Sequence, residues 1–142
     1  MNKYDFIARA VGLPWVDRAC SWSAMDCWGV VIMYFRHVYG QEIPCVEGYS
    51  TGGISIDTGF KNQIATGTWR RVDVPEGDGI AFMLFKGGRA THVGVIVDCT
   101  HVLHSAGDDK KAGQVRCDRI DVFRRFHGGD MHYYKYEGWR CW

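Results

Sequence analysis

No two of the six cysteines stand at the C-x-x-C spacing of a zinc site or a dithiol redox motif, and no apolar run is long enough to span a bilayer. The stretch from Met1 to Ile7 also lacks the uninterrupted apolar segment of a secretory leader. Synthesis in the cytoplasm without a signal peptide is therefore expected, with no membrane insertion. Without an oxidising compartment, the cysteines at 20, 27, 45, 99, 117 and 141 read as mostly free thiols. Charge of one sign is missing too: a formal net charge of +1 leaves no basic footprint and sets nucleic-acid binding aside. His101 and His104 are the nearest approach to a ligand pair, but no second pair accompanies them, so neither a metal nor another cofactor is expected. At 142 residues there is room for one core, and repeats, low-complexity segments and linkers are absent, so residues 1–142 are expected to form a single domain. Aromatic residues are plentiful by contrast. Six tryptophans exceed the need of a core this size; most are expected to be core, which leaves some for a groove or a partner surface.

The most informative stretch is Ser23 to Val31, where a thiol sits at the junction of a polar loop and a strongly apolar run. Val30, Val31, Tyr34, Phe35 and Val38 recur at steps of three and four, and Gly40 follows, which predicts a buried amphipathic helix from near Cys27 to Gly40 with Asp26 as N-cap. A cysteine in the first turn meets unpaired backbone N–H groups and the positive end of the helix dipole, both of which favour thiolate. Cys27 thus reads as the most reactive of the cysteines and a candidate nucleophile; the alternative is a small apolar thiol that packs at a helix start.

Around this helix, Tyr4, Ile7, Ala10 and Val11 predict a short first helix ended by Gly12, and Leu13 to Val16 runs extended before and after Pro14. Gln41 to Gly53 is turn-rich, and a short helix is expected over Asp57 to Ile64. From Thr68 the period changes to two. Strands are predicted at Thr68–Val74, Gly79–Phe85, His92–Asp98, His101–Ser105 and Gln114–Asp121, then a helix over Ile120–His127 and a last aromatic strand over Met131–Tyr136. Helices first and a meandering antiparallel sheet afterwards make an α+β fold.

A nucleophilic thiol needs a base, and strand parity selects among the histidines. His92, Gly94 and Ile96 share one face of their strand, while Val93, Val95 and Val97 look like core. A tight turn centred on Asp98 would set His104 directly opposite His92, with Cβ atoms about 5 Å apart, and put His101 on the wrong face. A one-residue slip would undo this pairing. His37, His127 and His132 read as solvated or structural. His92 then serves as base and His104 orients it, with an oxyanion forming beside the Cys27 N–H at the helix terminus.

Several segments together resemble the NlpC/P60 cysteine peptidases, papain-like hydrolases of bacterial cell-wall peptide stems, and in particular the subgroup found in tails of bacteriophages and related particles. Gly12-Leu13-Pro14-Trp15-Val16-Asp17 resembles the opening G-x-P-W-x-x-G, and Asp26-Cys27-Trp28-Gly29-Val30-Val31 resembles D-C-W-G-L-V. Tyr39 to Pro44 is similar to F-G-x-x-L-P, Pro75 to Ile80 to P-x-x-G-D-L-V, and His92 to Val97 with Leu103-His104-Ser105 to H-V-G-I-Y and L-H-A. The resemblance implies a papain-like α+β fold with N-terminal helices on an antiparallel sheet, and catalytic Cys27, His92 and His104. It also places Trp15 and Asp26 at the oxyanion or substrate. Where the family often has tyrosine, Trp15 offers only an N–H donor, and Arg18-Ala19-Cys20 replaces a glycine-containing loop. The implied substrate is the peptidoglycan stem, commonly its bond between γ-D-glutamate and a diamino acid. The implied setting is a virion tail tip among other tail-tip or baseplate proteins. A structural tail protein with a vestigial site, and a free endolysin or amidase-type wall hydrolase, are the competing readings.

Overall fold

The computed structural model describes residues 1–43, 54–107 and 113–139. Helix α1 (Lys3–Ala10) is capped by Asn2, whose side chain accepts the Asp5 N–H at 2.9 Å. It buries Phe6 and Ala10 and leaves Tyr4 exposed. The apolar spacing had favoured Tyr4, but Phe6 is the ring that packs against Tyr34 and Trp22. A hairpin of two-residue strands, β1 (Cys20–Ser21) and β2 (Ala24–Met25), then leads into α2 (Cys27–Tyr34). Strands this short carry no periodicity, and the sequence patterning does not reveal them.

All eight residues of α2 are buried, so it is enclosed on every side and not amphipathic as expected. The expected helix does continue to Gly40, but Phe35–Tyr39 form a π-helical turn, and Gly40 closes it in the left-handed region at φ 68°. Asp26 is the N-cap and is fully buried. One carboxylate oxygen accepts the Gly29 N–H and the other the Arg18 N–H, each at 2.7 Å, while the Asp26 N–H donates to the Ala19 carbonyl at 3.1 Å. The loop over α2 lies so close that a Cβ at position 29 would collide with the Ala19 oxygen, which explains the glycine.

Helix α3 (Ile54–Ala65) encloses the stretch expected to be helical. The sheet comprises β3 (Trp69–Val72), β4 (Ile80–Lys86), β5 (Arg89–Asp98), β6 (His101–Ala106), β7 (Gln114–Arg119) and β8 (Asp130–Tyr136), with α4 (Ile120–His127) between the last two. Every pairing is antiparallel and the order is β3-β8-β4-β5-β6-β7. This α+β architecture is the expected one, but the sheet is not a simple meander, because β8 inserts between β3 and β4. The insertion lets its aromatic residues serve both faces: Tyr134 and Tyr136 join the core under α2, and Tyr133 joins the core under α4. Val93, Val95, Val97 and Leu103 belong to the α2 side, and Phe82, Leu84, Ile96, Val102 and Phe123 to the α4 side. Among the described residues no helix is long and apolar enough to cross a membrane.

Asp26→Ala would leave the Gly29 N–H buried without its acceptor and release the loop at Arg18 from the helix start, and urea denaturation is expected to show a loss of about 2 kcal/mol. An unchanged midpoint would mean that the cap does not hold the loop to α2.

Candidate active site

The N-cap fixes Cys27 at the first position of α2, where the thiol is 1% exposed. Backbone N–H groups of Val93, Trp28 and Cys27 itself reach the sulfur and favour its anion, as the helix-terminus argument anticipated. They do not decide the outcome. Burial, with the Asp26 charge beside it, pushes the thiol far above its ordinary range, so the resting group is a neutral thiol and the expected thiolate is corrected.

The nearness of Val93 puts the thiol beside β5, on which His92 is the preceding residue. Strands β5 and β6 pair as far as Val95 and Leu103, and beyond that point β6 turns to the start of α2, with the Ser105 hydroxyl donating to the Met25 carbonyl at 2.6 Å. Their register differs from the expected one. Val95 faces Leu103 and not His101, so His104 is diagonal to His92 and not directly opposite. The turn is centred one residue later than Asp98, which shifts the pairing by two positions and preserves which face each side chain occupies. The rings therefore still meet, with His92 Nε2 at 3.1 Å from His104 Nδ1. Gly94 lies between them in the strand, and a Cβ there would stand 2.5 Å from the Phe82 ring and 2.6 Å from the Leu103 carbonyl.

Further along the sheet His104 Nε2 lies 2.7 Å from Asp118 on β7, and Arg116 holds the same carboxylate through its Nε at 3.2 Å and a terminal nitrogen at 3.0 Å. His127 on α4 stacks over His92 with centroids 5.8 Å apart and meets His104 edge-on at 5.6 Å, while Phe82 and Phe123 complete the enclosure. Burial, then the neighbouring charges of His104, His127 and Lys86, keeps His92 well below the usual imidazole range. Burial lowers His104 as well, against the opposing pull of Asp118. Both rings are thus neutral at pH 7, and His92 Nδ1 makes no hydrogen bond among the described residues.

Trp15 shares a cavity of about 200 Å³ with His92, Ser105 and His127, and its indole N–H is buried without a hydrogen-bond acceptor among the described residues. A larger cavity of about 640 Å³ opens on the other side of His104, lined by Arg116, Asp118, Phe123, Phe126 and His127. The remaining histidines lie elsewhere: His101 pairs with Asp98, His37 packs on Trp22 and His132 on Phe85. Cys45 and Cys141 fall outside the described residues.

Against known proteins, the NlpC/P60 family model matches residues 13–137, which is most of the chain. The chain belongs to the NlpC/P60 family. Among solved structures, the NlpC/p60 domain of the peptidoglycan hydrolase SagA is similar in fold, with a TM-score of 0.54 and 18% identity over 93% of this chain and 97% of that one. A search of curated proteins finds no significant match.

Sequence reasoning missed Asp118, Arg116 and His127. Each left a trace. Arg116 and Asp118 share a strand face by period two, and Ile120, Phe123 and His127 follow steps of three and four, but only the β6–β7 register, with His104 facing Arg116, shows what they meet.

The exposure of Cys99 and the burial of Cys27 set an order of reactivity. With limiting iodoacetamide at neutral pH, peptide mapping should find Cys99 modified before Cys27. Preferential labelling of Cys27 at neutral pH would show that the helix terminus outweighs burial.

Proposed function

We propose that this NlpC/P60 protein is a cysteine peptidase that cleaves the peptide stems of bacterial peptidoglycan by acyl-enzyme chemistry. The observation that carries the reading is the hydrogen-bonded pair His92–His104, one residue from the Val93 N–H that reaches the Cys27 sulfur. A neutral thiol facing a neutral imidazole suits general-base activation: the Cys27 proton passes to His92 Nδ1 as the sulfur attacks the scissile carbonyl. The carbonyl π electrons move to oxygen, where the helix-terminal N–H of Cys27 and the unpaired indole N–H of Trp15 are available donors. Collapse of the tetrahedral intermediate breaks the C–N bond, and His92 returns the proton to the leaving amine. Water, deprotonated by the same ring, then cleaves the thioester to a carboxylic acid and the free thiol. Asp26, with both carboxylate oxygens already hydrogen-bonded, contributes by positioning the helix start.

Wall peptide as substrate is supported by family membership and by the solved domain of a peptidoglycan hydrolase with the same fold. The preferred bond in this proposal is γ-D-glutamyl–diamino acid. The resemblance of residues 12–17 and 26–31 to phage tail proteins supports action at the tip of a phage or phage-like tail, in contact with other tail-tip or baseplate proteins.

Mass spectrometry of muropeptides after incubation of purified wall with the protein should show new stem-peptide termini at that bond. None should appear with Cys27→Ser or His92→Ala, each expected to lower the rate by a factor of about 100 or more. Because His92 must be neutral to accept the proton and its titration is displaced downward, the acid limb of kcat/KM should fall below pH 6.5, the ordinary imidazole value. No cleavage by the wild type would support the reading as a structural protein with a vestigial site. Antibody labelling of purified particles should place the chain at the tail tip; a protein absent from particles that lyses cells from within would be a free endolysin.

A further inference from the structure

We propose that Asp118 is a positioning residue that fixes where the protons sit on both histidines, and so leaves His92 Nδ1 as the nitrogen with a free lone pair to take the thiol proton. The inference rests on the reading of His92 as base. Asp118 is acceptor-only when ionised, so the 2.7 Å contact requires a proton on His104 Nε2. Neutral His104 then has no proton on Nδ1, which must accept. The 3.1 Å contact to His92 is satisfied only if His92 Nε2 carries the proton and donates it. The single remaining nitrogen, His92 Nδ1, is the unprotonated one.

The chain of reasoning holds only while Asp118 stays ionised. Burial opposes its charge, but the hydrogen bonds from Arg116 and His104 outweigh burial and keep the carboxyl below its usual range. The two contacts from Arg116 also fix the plane of the carboxylate, so that one oxygen is aimed at His104. The groups facing the pair are otherwise His127 from α4, stacked over His92, and Lys86 from β4. Neither is hydrogen-bonded to the pair, and neither can select a tautomer. When His92 takes the thiol proton it becomes an imidazolium, and the Asp118 charge lies two hydrogen bonds away, on the side opposite the incoming proton.

The test reads tautomers directly and does not require a substrate. Long-range ¹H–¹⁵N correlation spectra of the side chains, with signals assigned by loss in His92→Asn and His104→Asn, should show both rings of the wild type protonated at Nε2. In Asp118→Ala, and in Asp118→Asn should the first variant fold poorly, the His104 signals should shift to mixed tautomers. The rate kcat on a stem peptide should fall about tenfold or more with KM within a factor of two, since the proposed role of Asp118 acts through His104 on the proton of His92 and not on substrate binding. A His104 ring protonated at Nδ1 in the wild type, or tautomers unmoved in both variants, would overturn the proposal. A wild type that shows the expected tautomers but releases no peptide would remove the peptidase reading and leave the proton arrangement standing.

Discussion

Enclosing α2 on every side is the constraint from which the rest of the structure follows. A helix without a solvent face cannot satisfy its terminal N–H groups with water, so the chain supplies a buried carboxylate at one end and a left-handed glycine after a π turn at the other. The same carboxylate binds the loop before the helix, and the loop approaches closely because residue 29 has no side chain. Cys27 inherits its position from this arrangement. Its backbone is placed by contacts that exist for stability, and the first turn of the helix is held where β5 and β6 part.

Burial has opposite effects on the Cys27 thiol and the His92 imidazole. It raises the thiol and lowers the imidazole, since in both cases it disfavours the charged form. In the proposed mechanism the resting pair is neutral, and charge separates only when a carbonyl arrives for the sulfur to attack. The N–H groups at the helix start and the buried indole of Trp15 are donors that this proposal assigns to the charge of the intermediate.

Support for His92, the proposed base, extends across three strands, from His92 on β5 through His104 on β6 to Asp118 and Arg116 on β7. Each link depends on register. The diagonal meeting of the two imidazoles needs Gly94 to be bare, because a side chain there would press on Phe82 and the Leu103 carbonyl. From the other side α4 presses Phe123 and His127 onto the rings, which excludes water from most of their surface and limits their rotation. A sheet with aromatic cover on this face gives the imidazoles fixed orientations that an exposed loop would not.

The sequence alone determined the types of the longer elements, the helix start at Cys27, its cap and its stop, because hydrophobic period, capping chemistry and glycine punctuation act locally. It also brought His92 and His104 together as a pair, through strand parity and through resemblance in several short segments. Parity survived an error in the turn because a two-residue slip returns each side chain to the same face. Tertiary structure alone decided the rest. It put β8 between β3 and β4, buried Phe6 in place of Tyr4, and brought Asp118, Arg116 and His127 to the histidine pair from positions whose own neighbours in sequence say nothing of that contact. It also reversed the expectation for the thiol. Helix position is written in the sequence, whereas desolvation depends on everything that closes around the helix, and here the second effect is the larger.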